Sequence, residues 1–239
     1  MAIHAEGMLD GITSAGIVLS ATIFGLFTLY KAIKLKAKLL GVAALTMFFV
    51  GLLWLGPFID LMFLLLSKNH MNVGYPYPYE IYAILSYMWV APTLVFAMYL
   101  GGELIWPKGK WILVGIYIAL SVIFEMFLWF NTLHSFEELK PKVEGKYIIA
   151  ASFDNTHPTF ILIAIFLVSA LVFLGFGFLI KAKQATGDLR RKFLFLAIGF
   201  IIFVLTGASD SLIEPGPILG IIRGVMMTFA IWLYLGLKT

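Results

Sequence analysis

At 239 residues, with 62% apolar composition, 13% charged residues and a mean hydropathy of +0.99, the chain lies far from the soluble range; soluble domains carry roughly 25% charge and 45–50% apolar residues. Seven spans of about 20 residues use about 140 residues, which leaves no length for a kinase, nuclease or nucleotide-binding domain. Cysteine is absent, which excludes disulfides and thiolate metal sites.

Charge then fixes topology. Twelve of the seventeen Lys and Arg residues fall in three short connections and at the C-terminus. They are Lys31, Lys34, Lys36 and Lys38, then Lys108 and Lys110, then Lys181, Lys183, Arg190, Arg191 and Lys192, and finally Lys238. Only Glu103 and Asp188 accompany them. Cytoplasmic loops carry the Lys and Arg excess, so the alternation predicts an all-α bundle of seven transmembrane helices, N-terminus outside and C-terminus cytoplasmic. The net charge of +4 is explained by that topology and carries no message about nucleic acid. Short loops and absent cysteine suit a prokaryotic cell membrane.

Residues 1–10 read as a short outer tail, because Glu6 and Asp10 replace the basic region of a signal peptide. The spans follow at residues 12–30, 39–66, 79–106, 111–131, 157–180, 192–212 and 217–237, each long enough to cross about 30 Å of hydrocarbon. Tyr30, Trp106, Trp111 and Tyr234 sit where interfacial anchors belong on the inner side. Pro57 and Pro92 each free a carbonyl and kink the second and third spans. Before the third span, Gly74-Tyr75-Pro76-Tyr77-Pro78-Tyr79 forms a stiff aromatic lip. The one long loop, residues 132–156, turns around Glu144-Gly145 as a small hairpin and is placed to act as a lid.

The second span opens on Lys36-Ala37-Lys38-Leu39-Leu40 and ends in Gly56-Pro57-Phe58-Ile59-Asp60; the sixth opens on Arg190-Arg191-Lys192-Phe193-Leu194 and ends in Gly207-Ala208-Ser209-Asp210. This weak repeat allows a parallel 3+1+3 duplication.

An unpaired charge in hydrocarbon costs at least about 2.5–3.5 kcal/mol, so intramembrane ionisable residues are the candidate site. Arg223 lies about 9 Å below the outer end of the seventh span, between Gly220 and Gly224 at the spacing that lets helices approach. Glu125 occupies the outer half of the fourth span; Asp60 and Asp210, with Glu214 just beyond, complete an acidic set at similar depth. Arg223 and Asp210 flank the turn Glu214-Pro215-Gly216-Pro217, close enough for an ion pair between adjacent helices. Two readings stand side by side. One is a structural charge network joining spans two, four, six and seven. The other is an outward-facing pocket, in which Arg223 holds an anionic ligand group or the acids a cationic one. A proton relay through Glu125 is a third.

His4, His70, His134 and His157 all lie on the outer side, outside the span cores. Together with Glu80 and Asp154, His70, His134 and His157 offer imidazole and carboxylate ligands for an extracellular metal. No paired His at i, i+4 and no His-Glu-x-x-His occurs, and solvated loop histidines are the plainer reading. No cofactor is expected, and no nucleophile and base stand in a catalytic arrangement.

Mid-span seven reads Val225-Met226-Met227-Thr228-Phe229, without the lysine a retinal Schiff base needs, and no Pro-Gln repeat of the small sugar carriers or intramembrane histidine of the seven-helix zinc hydrolases is present. Residues 82–100, with an aromatic-rich start leading to Ala91-Pro92 and then Phe96-Ala97, resemble the third span of the seven-helix sensor region that precedes many prokaryotic histidine kinases. Arg190-Arg191-Lys192-Phe193-Leu194, closing in Gly207-Ala208-Ser209-Asp210, is similar to the sixth span of that family. The resemblance implies a sensor-like bundle with an outward-facing ligand site. No kinase or cyclase follows in this sequence, so the signal is expected to leave through a separate partner on the inner face.

The expectation is therefore a receptor-like protein of the lipid bilayer, its small-ligand site between spans two, four, six and seven. Arg223 contacts the ligand or locks the bundle, with Asp60, Glu125 and Asp210 as counter-charges, and a shift of span six or seven alters the 181–192 connection. The runner-up is a non-catalytic accessory subunit of a larger membrane complex. A small carrier comes third, because the inner halves of the spans hold almost no polar groups.

Overall fold

The computed structural model describes residues 4–66, 78–144, 146–213 and 216–238. Most of the Gly74–Tyr79 lip, His70 and Glu214 lie outside the described residues.

Apolar length makes the helices and special residues end or break them. Helix α1 (Ala5–Leu35) has 31 residues, about 46 Å at 1.5 Å per residue. Of the tail expected over residues 1–10, residues 5–10 instead form its first turns. His4 caps it by accepting from the Glu6 N–H at 3.4 Å, and Glu6 sits in the first turn, where a carboxylate suits the helix dipole. Lys36, left-handed at φ 52°, turns the chain into α2 (Lys38–Leu52), which continues as α3 (Leu55–Leu66). The predicted span 39–66 is thus two helices, bent by 45°. Pro57 has no N–H for the carbonyl of Leu53 four residues earlier, and the break falls at Leu53-Trp54. The same arithmetic separates α4 (Tyr79–Tyr87) from α5 (Val90–Ile105): Pro92 lies four residues beyond Met88, and the helix breaks at Met88-Trp89.

Helix α6 (Lys110–Phe130) leads into a hairpin of β1 (Phe136–Pro141) and β2 (Ile149–Phe153), antiparallel, with a bulge between Phe136 and Glu138. This hairpin amends the all-α expectation. Helix α7 (Pro158–Ala170) passes through a π-helical turn, Leu171–Phe176, into α8 (Gly177–Gln184). Gly101 of α5 meets that turn so closely that a Cβ there would lie 2.6 Å from the Phe173 Cβ. Helix α9 (Gly187–Asp210) starts five residues earlier than predicted, its first turn held by a 3.1 Å ion pair between Asp188 and Lys192. The basic 181–192 connection therefore shrinks to Ala185-Thr186, the rest being helix. The last span, α10 (Pro217–Met227) and α11 (Phe229–Leu237), breaks at Thr228, whose hydroxyl donates to the Val225 carbonyl at 2.7 Å.

Six helical stretches are long and apolar enough to cross a membrane, and seven when α2 and α3 count as one span. Gly41 of α2 packs beside Ala32 of α1, whereas Asp60 of α3 reaches the hairpin, so this bent pair runs the depth of the bundle. Around the bundle Leu19, Phe27, Ile116, Val168 and Leu205 are each more than half exposed. An apolar belt of that kind suits hydrocarbon and not water: this is an integral membrane protein. One end carries the hairpin and the start of α1. The opposite end carries Lys36, Lys108, Lys183 and the other connection lysines.

Candidate functional site

A cavity of about 550 Å³ opens at the hairpin end. Its mouth lies among Glu137, Glu138, Lys140 and Ser211, all exposed. Its walls come from α1, α2, α3, α4, α5, α7, α9 and α10, and its floor from Thr46, Ala97, Leu174 and Phe200. Thr46 and Ala97 stand eight residues from the basic ends of α2 and α5, so the floor stops about 12 Å short of that end. The broken helices make this space. Pro57 lines the wall just after the α2–α3 bend, on its hairpin side, and Val90 and Thr93 line it just after the α4–α5 break.

Arg223 stands in the wall, 8% exposed, and ties three helices together. Its Nε donates to Asp210 Oδ1 at 2.5 Å and one terminal nitrogen reaches Asp210 Oδ2 at 3.5 Å. The other terminal nitrogen donates to Ser14 Oγ at 3.0 Å and to the Asp10 carbonyl at 3.3 Å. The ion pair expected across the 214–217 turn is thus in place, with α1 as an additional partner.

The remaining candidates go elsewhere. Asp60, fully buried, accepts the Ile149 N–H of β2 at 2.7 Å and so anchors the hairpin over the bundle. Glu125 sits outside the cavity on the flank of α6, half-buried among exposed Val122, Met126 and Trp129; it accepts the Trp129 indole N–H at 2.9 Å, and its Oε1 has no hydrogen-bond partner among the described residues. Glu125 and Arg223 therefore do not share a site, because α6 turns residue 125 away from its buried face of Tyr117, Ser121, Phe124 and Leu128. His157 caps α7, bonding the Thr159 hydroxyl through Nδ1 at 2.9 Å, while His134 is exposed on the loop before β1. Among the described residues no three His, Asp or Glu side chains converge as a metal site.

Residues that the sequence reading left out complete the cavity. Asp10, read as part of an outer tail, lines it at 2% exposure, and its Oδ1 has no hydrogen-bond partner among the described residues. Thr93, 9% exposed, lines it with an equally unpartnered hydroxyl. Tyr82, Tyr87 and Trp54 supply aromatic walls. The hairpin is seated on α4 by Phe136 and Phe153, whose rings stack at 4.5 Å and meet Tyr87 at 5.5 and 4.7 Å. Its turn rests on the start of α1, where the His4 ring stacks on Tyr147 at 4.7 Å and the His4 backbone N–H donates to the Lys146 carbonyl at 2.9 Å. The arrangement can bury a small molecule with an apolar body and a polar end directed at the hairpin. No family model, curated protein or solved structure matches the chain.

Proposed function

We propose that this protein is a receptor-like membrane protein that takes a small ligand into the bundle cavity from the hairpin side and signals through a separate partner at the basic end. The cavity carries the reading. Its volume of about 550 Å³ falls in the range of about 300–1,000 Å³ common to small-molecule sites. A purely structural accessory subunit has no use for such a space, and a carrier needs access to both ends, whereas this floor is closed well short of the basic end. The Lys and Arg excess argues for the basic end in the cytoplasm, which puts the hairpin and N-terminus outside. The resemblance of residues 82–100 to prokaryotic sensor regions points the same way, and a parallel 3+1+3 duplication fits spans that begin basic and end at Asp60 and Asp210.

In this reading ligand occupancy moves α9 and α10 against α1 by repacking the Arg223 contacts. The break at Thr228 lets α11 tilt, carrying the change to the basic end. The partner is a membrane or cytoplasmic protein. Glu125 favours one specific contact for it, since a half-buried carboxylate on the lipid-facing flank of α6 is costly unless another chain meets it.

The test is thermal unfolding of the purified protein against a small-metabolite library, with Gly207→Phe as the control. At Gly207 an added Cβ meets nothing nearer than 3.9 Å and the residue lines the cavity, so the substitution puts a phenyl group at the cavity wall with no clash at its Cβ. Compounds that stabilise the wild type and leave a folded Gly207→Phe unmoved support the reading. A library in which nothing discriminates the two proteins refutes it.

A further inference from the structure

Resting on the cavity as a ligand site, we infer that the ligand class is a small amphiphilic amine whose cationic end pairs with Asp10 and whose apolar body lies against the aromatic wall below. The arithmetic of hydrogen bonds at Arg223 is the starting point. A guanidinium has five donors. Here Nε and one terminal nitrogen are committed to Asp210, and the other terminal nitrogen is committed to Ser14 and the Asp10 carbonyl. Little of Arg223 is left to receive an incoming anion. Its charge is moreover balanced by Asp210 at 2.5 Å.

The Asp10 carboxylate is the opposite case. It is 2% exposed, lines the cavity, and has an Oδ1 without a hydrogen-bond partner among the described residues. A buried carboxylate oxygen with no donor is expensive, and a ligand donor that reaches it recovers that cost. A cationic donor recovers most, because charge-assisted bonds are roughly twice as strong as neutral ones. The surroundings agree in sign. Among the described residues lining the cavity the carboxylates are Asp10, Glu137, Glu138 and Asp210, against only Lys140 and Arg223 as cations. The acids at the mouth draw cations inward. Trp54, Tyr82 and Tyr87 line the same cavity, and aromatic rings attract ammonium groups. The Thr93 hydroxyl, buried and unpartnered in the wall, is an acceptor for a second N–H. Deeper, Leu94, Leu174 and Phe200 are apolar and Thr46 spends its hydroxyl proton on the Val42 carbonyl at 2.9 Å, which calls for an apolar body on the ligand.

The probes are 4-phenylbutylamine, 4-phenylbutanol and 4-phenylbutyrate, one body with three end groups. Each is titrated calorimetrically into the 239-residue protein in phosphatidylcholine nanodiscs, with empty nanodiscs subtracted. The amine is expected to bind tightest, by at least about tenfold over the alcohol. That advantage should vanish in Asp10→Asn and persist in Asp10→Glu, while Gly207→Phe abolishes binding of every probe. Because the three probes are first compared on the wild type, the ranking decides even where Asp10→Asn fails to fold. A butyrate that binds best, or three probes that bind alike, overturns the amine assignment but leaves a ligand cavity standing. No binding by any probe also overturns it, and the library screen then judges the cavity reading independently.

Discussion

Asp60 and Ile149, 89 residues apart, are joined by a 2.7 Å hydrogen bond from the β2 backbone N–H to the buried α3 carboxylate. The bond explains how a two-stranded hairpin, marginal in isolation, holds a fixed place over the cavity. A hydrogen bond to a charged group contributes about 1.5–3 kcal/mol. Asp60→Ala should therefore release β2 without unfolding the helices. The expected readout is faster hydrogen exchange over residues 136–153 and an added proteolytic cut in the hairpin. Exchange rates unchanged from wild type in that segment exclude the anchor.

At the hairpin exit a second aspartate sets a pH dependence. Asp154 accepts the Thr156 backbone N–H at 2.8 Å and its hydroxyl at 2.7 Å, and these bonds hold its carboxyl below the usual range. A carboxylate with a depressed pKa stabilises the fold above its unfolded-state pKa, and that contribution is lost as pH falls through the lowered value. Carbon chemical shifts should thus show Asp154 titrating below an ordinary exposed aspartate, with exchange of the Thr156 amide rising only in that acid range. Asp154→Asn should remove the acid step. A midpoint at or above the ordinary value contradicts the account.

How much of this was legible in the sequence depends on whether the signal was local. The spans were visible because apolar runs need only length, and the two proline breaks because the lost donor always frees the carbonyl four residues back. Arg223 and Asp210 were legible as a pair because one short turn separates their helices. Asp10 was not, since nothing near Met1 marks where α1 begins. The signal available was spacing: Asp10, Ser14 and Ile17 form one helical face that runs on into buried Ala21. Glu125 was grouped with the other acids by depth alone, and depth ignores rotation about the axis. The Asp60 anchor joins segments that no sequence pattern relates.

Helices α3 and α4 approach through Gly56. A Cβ there would lie 2.0 Å from Ser86 Oγ and 2.7 Å from the Tyr82 carbonyl. The serine can rotate; the backbone oxygen cannot. Gly56→Ala must push α4 away from α3 and displace Tyr82 from the cavity wall, at about 1–3 kcal/mol by analogy with overpacked cores. Gly56→Ala combined with Ser86→Ala should regain only part of the loss, because the clash with Tyr82 remains. Thermal unfolding of the two variants checks this, and full recovery in the double variant shows that the serine alone was in the way.

The Arg223–Asp210 pair separates locking from binding. Both side chains are largely buried, 10% and 16% exposed. Breaking a buried pair from one side leaves an uncompensated charge and costs about 3–5 kcal/mol, whereas replacing both partners with apolar groups is often neutral. Asp210→Asn strands the guanidinium of Arg223 and should lower the melting temperature more than Arg223→Met with Asp210→Leu does. In Arg223→Met alone, Ser14 keeps its own bond to the Asp10 carbonyl at 2.8 Å, so α1 retains its local structure and the loss falls on the contact between α9 and α10. If the double variant melts near wild type, the pair is replaceable as a structural lock, and its chemistry is then free to be judged by ligand binding. A double variant as unstable as Asp210→Asn shows instead that the bonds from Arg223 to Ser14 and to the Asp10 carbonyl hold α1 in the bundle.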